Sequence, residues 1–499
     1  MRLRTSIVAI AAGVALAAVG TAMTLEARGG VQVAGATPER VRAPSAGGFV
    51  RRIVEMLGLS RANELGGPVI LAPPENPHVL TKVAAFGSPL IPAGRKRALA
   101  YHYDSHVFRR PGRRPKAVGF VRRGVTLPVG SVVRGPGCQG TWYDVRGGPG
   151  VVCSRDGFAI SARARQTGVR QPPPDVSRAL PFKYAKANPG ALRMYRLPTG
   201  AEEASLSQLP DPGEGQPDPS VPPEGDAGGL PEVVERRMDG VFLLALDRLE
   251  PGGAYYRTVR GRYVRKRDVE LKPEPGLRGE LLSEGSGLPL AFVYGEEDAP
   301  VYRMVDGKRV PAGAAKTHSR YGLAELTTWD GEPVATREDG IAVPRTRVRI
   351  ARRVGRPRQV KADDKWIHVD LDEQTLVAYE GETPVFATLV SSGKGEEFAT
   401  PTGLYPMREK HISTTMNGPD PDAGYYEVEE VPWTMYYHDS FALHGAYWHN
   451  TFGNTRSHGC TNLSPIDARW LFYWSDGTLP KGWNALRQLK GTWVYLTRG

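Results

Sequence analysis

Glycine and proline interrupt this chain so often that only short elements fit between them: its 499 residues include 59 Gly and 43 Pro. Glycine weakens a helix interior and proline breaks it, so such punctuation favours short strands and turns over long helices. The chain therefore reads as mainly β. At ~150 residues per domain the length corresponds to about three units. Forty per cent hydrophobic residues is enough for ordinary cores.

The net charge of +12 is unevenly placed. Residues 363–499 hold 10 Lys/Arg and 18 Asp/Glu, a net of −8, which leaves +20 on residues 1–362. A basic half joined to an acidic half implies an anionic surface as partner for the basic half. Nucleic acid, membrane and bacterial cell wall share that chemistry, and charge alone does not choose among them.

The first residues narrow the compartment. Arg2 and Arg4 precede an uncharged, Ala- and Val-rich stretch from Thr5 to Leu25, and Gly20-Thr21-Ala22 offers a small-x-Ala cleavage site. Residues 1–27 thus form a signal peptide or an uncut membrane anchor. Export to a periplasm or cell envelope removes nucleic acid from the partners. Cys138 and Cys153 flank a Gly-rich turn, and facing strands there would bring their sulfurs together in an oxidising compartment. Cys460 is left over, and an odd cysteine in an exported chain is a partner thiol or a reactive one.

Residues 28–95 give no assignable domain. From residue 96 three segments resemble one another: WYDVRGGPGVVCSRDGFAI (142–160), YYRTVRGRYVRKRDVEL (255–271) and VATREDGIAVPRTRVRI (334–350). Each has a β-prone run, a glycine turn, a second run and a short closing strand. They resemble the small Src-homology-type barrels of bacterial wall proteins. Residues 201–232 carry eight acidic residues, seven prolines and no Lys or Arg, so they read as an extended linker. One β module then occupies 96–200 and a second, basic one 233–355. A final domain spans 363–499. It opens as a β-meander through WIHVDL, TLVAYEG and PVFATLVSSG. One helix follows Leu463, with Ser464 as N-cap, Pro465 at its first position and Asp467 in its first turn. Trp470, Phe472 and Trp474 fit its packed face.

Chemistry concentrates in ALHGAYWHNTFGNTRSHGCTNLSPIDARWLF (442–472), which holds three of the ten histidines and Cys460. A thiol is only a few per cent thiolate near neutrality, and a histidine that takes its proton makes it a nucleophile. His444 ends the apolar strand FALH, where a side chain is rigidly held. Gly459 permits a tight turn and leaves its N–H for an oxyanion site shared with the N–H of Cys460.

SHGCTN, with HG sixteen residues before the cysteine at a strand end, resembles the L,D-transpeptidase catalytic domain. TPTGLYP (400–406), VSSG (390–393) and WIHVDLDEQTLVAYEG also match that family's pattern, over about 365–497. The resemblance implies a β-sandwich with one short helix. It also implies Cys460 as nucleophile and His444 as base, oriented by the Gly445 carbonyl. His458, Gly459 and Cys460 would line the oxyanion site, braced by Ser457 and Asn462. Many family members carry Arg where this chain has Asn462. The implied reaction releases D-Ala from a peptidoglycan stem peptide, forms a thioester, and closes a 3→3 cross-link with a second stem. It needs no cofactor and no metal.

Other readings use the same residues. His444, His449, His458 and Cys460 form a candidate zinc set, at an unfamiliar spacing. Water as acceptor gives an L,D-carboxypeptidase, and another amine attaches a D-amino acid or a protein. A wall-binding protein with an inactive enzyme domain also fits the basic modules. Tyr447, Trp448 and His449 either line the substrate groove or pack in the core. His411 and His438 read as surface or structural residues, and the acidic run at 420–430 as a solvated loop.

Overall fold

The computed structural model describes residues 95–162, 171–189, 192–196, 233–237, 240–248, 254–282, 287–487 and 491–499. The expected signal or anchor, the unassigned 28–94 segment and the acidic 201–232 segment lie outside the described residues. The fold is mainly β, with one α-helix among the described residues, Pro465–Trp474. No described helix is long and apolar enough to cross a membrane.

Each of the three similar segments folds as a hairpin with a closing strand, in a different β unit. In the first unit they are Trp142–Val145, Val151–Cys153 and Phe158–Ser161. Antiparallel pairing continues from Phe158–Ser161 through Arg97–Ala100, Thr126–Val133, Trp142–Val145, Val151–Cys153 and Asp104–Phe108 to Ala117–Arg122. Val107, Val121, Leu127, Val152 and Phe158 fill its core. Cys138 and Cys153 form a disulfide, with Cα atoms 5.8 Å apart.

The second unit pairs Val233–Arg237, Leu192–Tyr195, Tyr263–Arg265, Tyr255–Thr258, Val241–Arg248, Lys183–Ala187 and Val269–Lys272 in that order, all antiparallel. Leu192–Tyr195 and Val233–Arg237 are neighbours, so the two strands that flank the acidic 197–232 stretch pair with each other. A third unit joins Leu290–Val293, Arg320–Gly322 and Val348–Ala351 to a five-stranded sheet made between Ala299 and Pro344. Two of the closing strands follow a single 3₁₀ turn, Lys266–Asp268 and Arg345–Arg347.

The C-terminal domain is built on two sheets. The first has six strands in the order Glu280–Leu281, Thr383–Leu389, Thr375–Glu380, Lys365–Asp370, Trp493–Thr497 and Gly403–Pro406. The second runs Ala485–Arg487, Glu409–Asp420, Gly424–His438, Phe441–Gly445 and Thr461–Leu463. Ile367, Val369, Leu376 and Phe386 from the first sheet share one core with Trp433, Met435, Leu443 and Leu463 from the second. Ala468, Trp470, Leu471, Phe472 and Trp474 of the helix complete that core.

The helix starts where its capping residues dictate. Ser464 is extended, and its hydroxyl accepts the N–H of Asp467. The Asp467 carboxylate is fully buried and accepts from Gly279 N–H at 2.9 Å and Thr388 Oγ1 at 2.7 Å. The Asp467 carboxylate thus ties the helix start to the sheet and to the incoming chain.

The strand at Lys365–Asp370 alternates in sequence yet is buried on both faces. Its second face, with Trp366 beside Val377 and Tyr379, is covered by Leu290, Phe292 and Ala351 of the third unit. His368 is buried there and meets Thr497 Oγ1 at 2.9 Å. The other two units extend the second sheet. Gly119 and Phe120 pair with Leu486 and Ala485, and Val241–Leu243 lies parallel to residues 426–428.

Candidate active site

Two short parallel strands fix the centre of the site. Leu443, His444 and Gly445 pair with Thr461, Asn462 and Leu463. Paired residues in a sheet share a face, and side chains alternate along each strand. His444 and Asn462 therefore share a face, and Cys460 immediately precedes the second strand. Cys460 is partly exposed and is not disulfide-bonded. Its thiol lies 3.5 Å from the Ser440 carbonyl, to which it donates.

His444 is buried, with Nδ1 3.3 Å from the Gly445 carbonyl. A carbonyl only accepts, so that contact puts the proton on Nδ1 and leaves a lone pair on Nε2. Burial pulls the His444 pKa down to about 4, against a smaller upward pull from the Gly445 carbonyl. The imidazole is therefore neutral near pH 7, in its proton-accepting form.

The loop carrying Cys460 is held by hydroxyls. Ser457 Oγ donates to the Cys460 carbonyl and accepts the Gly459 N–H at 3.0 Å. The Gly459 N–H, expected to stand free for an oxyanion, is thus engaged by Ser457. Gly459 adopts φ +118, and a Cβ there would fall 2.6 Å from the Phe441 ring, so the turn requires glycine. Buried Thr400 donates to the Gly459 carbonyl at 2.8 Å and accepts from Gly393 N–H at 2.9 Å. The TPTG and VSSG motifs meet here. Ser391 exchanges backbone hydrogen bonds with Asn462, and the Ser392 carbonyl accepts from Arg456 and Ser457 N–H. Gln374 in turn accepts the Ser392 N–H at 2.7 Å. Sequence reasoning gave no role to Thr400 or Gln374, although the TPTG motif carried the signal for Thr400.

The other histidines take separate partners. His458 Nε2 lies 3.1 Å from Asp420 Oδ2, and its ring stacks on Tyr426 at 4.7 Å. His449 Nε2 lies 3.0 Å from the Asn462 amide, and its Nδ1 faces the Thr451 N–H at 3.4 Å. If Nδ1 accepts from Thr451, Nε2 carries the proton and must meet an oxygen. The buried Asn462 Oδ1 otherwise has no partner. The amide orientation with Oδ1 toward His449 satisfies both groups. Burial, with the charges of Arg456 and His444, pulls His449 down to about 3. Among the described residues, no group of three or more His, Cys, Asp or Glu is placed to hold a metal.

Tyr447 faces the second β unit. It is buried, stacked on Tyr184 at 3.9 Å, with its hydroxyl facing the Glu429 carbonyl. Trp448 is partly buried, its ring 5.7 Å from His444. His411 is buried beside Glu409, whereas half-exposed His438 stacks on Tyr405. The acidic run at 420–430 is not a solvated loop. It forms a hairpin turn and the start of the strand Gly424–His438, and Glu429 and Glu430 are fully buried. Asp420 shapes the turn by accepting the N–H groups of Asp422 and Ala423.

This arrangement sets a partly exposed thiol and a neutral, buried imidazole on a two-sheet β scaffold. Residues 364–496 match the family model YkuD, the L,D-transpeptidase catalytic domain, and this part of the chain is such a domain. Among similar solved structures, the catalytic domain of the Enterococcus faecium L,D-transpeptidase shares 26% identity over 27% of this chain and 98% of that one, with TM-score 0.22. An L,D-transpeptidase (Yku) from Stackebrandtia nassauensis shares 23% identity over 28% of this chain, with TM-score 0.20. The match spans 58% of the length of that structure. L,D-transpeptidase 3 from Mycobacterium tuberculosis shares 16% identity over 40% of this chain and 79% of that one, with TM-score 0.23. Comparison with functionally curated proteins gives no match.

Two outcomes follow from this geometry. Thr400→Val removes both hydrogen bonds of the hydroxyl and is expected to lower the stability of the fold by about 2 kcal/mol, each lost bond being worth ~1 kcal/mol. Denaturant titration checks it, and a stability within about 0.5 kcal/mol of wild type would remove Thr400 from the support of the loop. The second outcome concerns pH. The folded His444 pKa of about 4 lies below the ordinary histidine value of 6.5, so below pH 6.5 the unfolded chain binds a proton that the folded chain refuses. Its contribution to stability is complete above pH 6.5 and is lost as pH falls toward 4. The stability of wild type relative to His444→Gln should therefore decline over that window, by an amount on the order of 3 kcal/mol. Denaturant titrations at several pH values test this, and a pH-independent difference would contradict it.

Proposed function

We propose that the chain is an exported L,D-transpeptidase that forms 3→3 peptidoglycan cross-links through a thioester on Cys460. The observation that carries this reading is the parallel strand pair bearing His444 and Asn462, with Cys460 immediately before it, inside a region that matches the family. Family membership supports stem peptides as substrate and an extracytoplasmic site of action.

In the proposed first step, His444 Nε2 takes the thiol proton and Sγ attacks the carbonyl between the third stem residue and D-Ala. A thiolate beside the ring favours the imidazolium, so the low resting pKa does not persist once the proton moves. The oxyanion would be met by backbone N–H groups of the loop at Cys460 other than that of Gly459, which Ser457 engages. Collapse breaks the peptide bond, and D-Ala leaves as the amine with the proton from His444. In the second step an amine of another stem attacks the thioester, His444 takes its proton, and the carbon–sulfur bond breaks to restore the thiol. Ser457, Thr400 and Asn462 position the loop. Trp448, beside His444, is assigned to the groove, and His449 and Tyr447 to support.

The test uses disaccharide-tetrapeptide with the purified protein lacking residues 1–27, beside Cys460→Ala. A dimer one D-Ala lighter than two monomers, absent in Cys460→Ala, is expected by mass spectrometry. Tripeptide alone, again lost in Cys460→Ala, would replace transpeptidation by carboxypeptidation. Product that persists in Cys460→Ala would end the thioester reading. For the basic β modules we infer an anionic cell-wall surface as partner. Retention on isolated wall should then fall as salt rises from about 0.05 to about 1 M, because screening shortens the reach of surface charge. Salt-independent retention would contradict it.

A further inference from the structure

The hairpin formed by Glu409–Asp420 and Gly424–His438 touches the Cys460 loop with one side and the second β unit with the other. Toward the site, Asp420 holds His458, and the Tyr426 ring stacks on it. Tyr426 also lies within electrostatic reach of Cys460. Toward the second unit, Val241, Phe242 and Leu243 pair in parallel with Tyr426, Glu427 and Val428. Tyr426 is thus held by its backbone in one unit's sheet while its ring rests on the catalytic loop.

One side chain of the second unit fastens both strands of this hairpin. Arg260 Nη1 lies 3.2 Å from Glu427 and its Nε 3.3 Å from Glu429, both in the strand Gly424–His438. Its Nη2 donates to Thr415 Oγ1 at 3.1 Å, in the opposite strand Glu409–Asp420. Glu429 Oε2 also accepts the Ala245 N–H at 3.2 Å, and Tyr184 donates to the Glu430 carbonyl at 2.7 Å. Arg237 adds contacts of 3.1 Å to Glu427 and 3.6 Å to Glu429. A two-stranded hairpin is marginal alone in water, so the position of its tip depends on such clamps. The planar guanidinium holds one hydrogen bond to Thr415 and two ion-pair contacts to Glu427 and Glu429 in a fixed fork, which a flexible ammonium does not reproduce.

We propose that Arg260 is a positioning residue for acylation of Cys460: by clamping the hairpin it sets Tyr426 and Asp420 against His458, which makes the second β unit part of the catalytic apparatus. This rests on the reading of Cys460 as nucleophile. The unit would then govern turnover without touching substrate.

The experiment uses the full chain with disaccharide-tetrapeptide as substrate, and reads kcat, KM and amide hydrogen exchange of residues 424–428. Arg260→Ala is expected to lower kcat/KM at least about tenfold, chiefly through kcat, and to raise exchange across the hairpin. Arg260→Lys should recover part of both. If Arg260→Ala does not fold, Arg260→Lys decides, with an expected loss of about threefold and faster exchange. Folded variants with kcat/KM within twofold of wild type would overturn the proposal, whatever their stability. So would a loss of kcat/KM with unchanged exchange. Cys460→Ala separates the two layers. Turnover that survives it removes the thioester reading, whereas an inactive Cys460→Ala beside fully active Arg260 variants removes only the positioning role.

Discussion

The arrangement of the domains depends on a cluster of buried charge at Glu429 and Glu430. Glu430 is fully buried and meets Arg122 and Tyr103 of the first unit. Glu429 meets Arg237 and Arg260 of the second. Burial alone would lower the Arg122 pKa, but Glu430, Tyr103 and Asp104 together hold it above its ordinary value. Burial pushes the Glu429 carboxyl up, and Arg260 and Arg237 pull it back. Desolvating such groups costs several kcal/mol per ion, so a buried network adds little net stability even when complete. Its effect is on specificity. Any arrangement of the three parts that leaves one of these charges buried without its partner is strongly disfavoured.

That specificity reaches the active site because the cluster sits on the strand that borders it. Glu430 has φ +51 and Trp433 φ +55, unusual for residues with a Cβ, and both lie in Gly424–His438. The irregular backbone turns the Glu430 carbonyl to the Tyr184 hydroxyl. Tyr184 stacks on Tyr447, three residues past His444. From the third unit, Arg349 donates to the Gly453 carbonyl at 2.9 Å, and a Cβ at Gly453 would meet the Tyr294 Cβ at 2.8 Å. The 446–456 loop is therefore pressed from both sides by chain outside the catalytic domain.

The local features of the site were legible in sequence because their causes are local. Ser464, Pro465 and Asp467 mark a helix start within four residues, and the helix begins there. Gly459 before Cys460 signals a positive φ, which it has. Features set by distant chain were not legible. The run EVEE at 427–430 looks solvated until Arg122 and Arg260, more than 160 residues away, are brought to it. The Gly459 N–H is engaged only because Ser457 turns inward over a two-residue span, and no pattern of residue types specifies that rotamer. Tyr447 sits in an aromatic run three residues past His444, and only the arrival of Tyr184 decides that it faces the core. The same holds for the 197–232 stretch. Its composition shows that it cannot fill a core, but not that the strands at its two ends pair with each other.

The split of charge between the halves of the chain has an internal use as well. The acidic excess of residues 363–499 and the basic excess before it meet at the boundaries between the units. Arg122 pairs with Glu430, and Arg237 and Arg260 with Glu427 and Glu429. Arg345 and Arg352 pair with Glu373, and Arg356 with Glu382. Opposite charge on the two faces brings them together and rejects like-charged pairings, so part of the asymmetry is used within the molecule. An anionic wall polymer would compete only for the basic residues outside these contacts. The net charge of the N-terminal half therefore overstates the charge available to an external partner, and the arginines named here belong to the architecture of the enzyme domain.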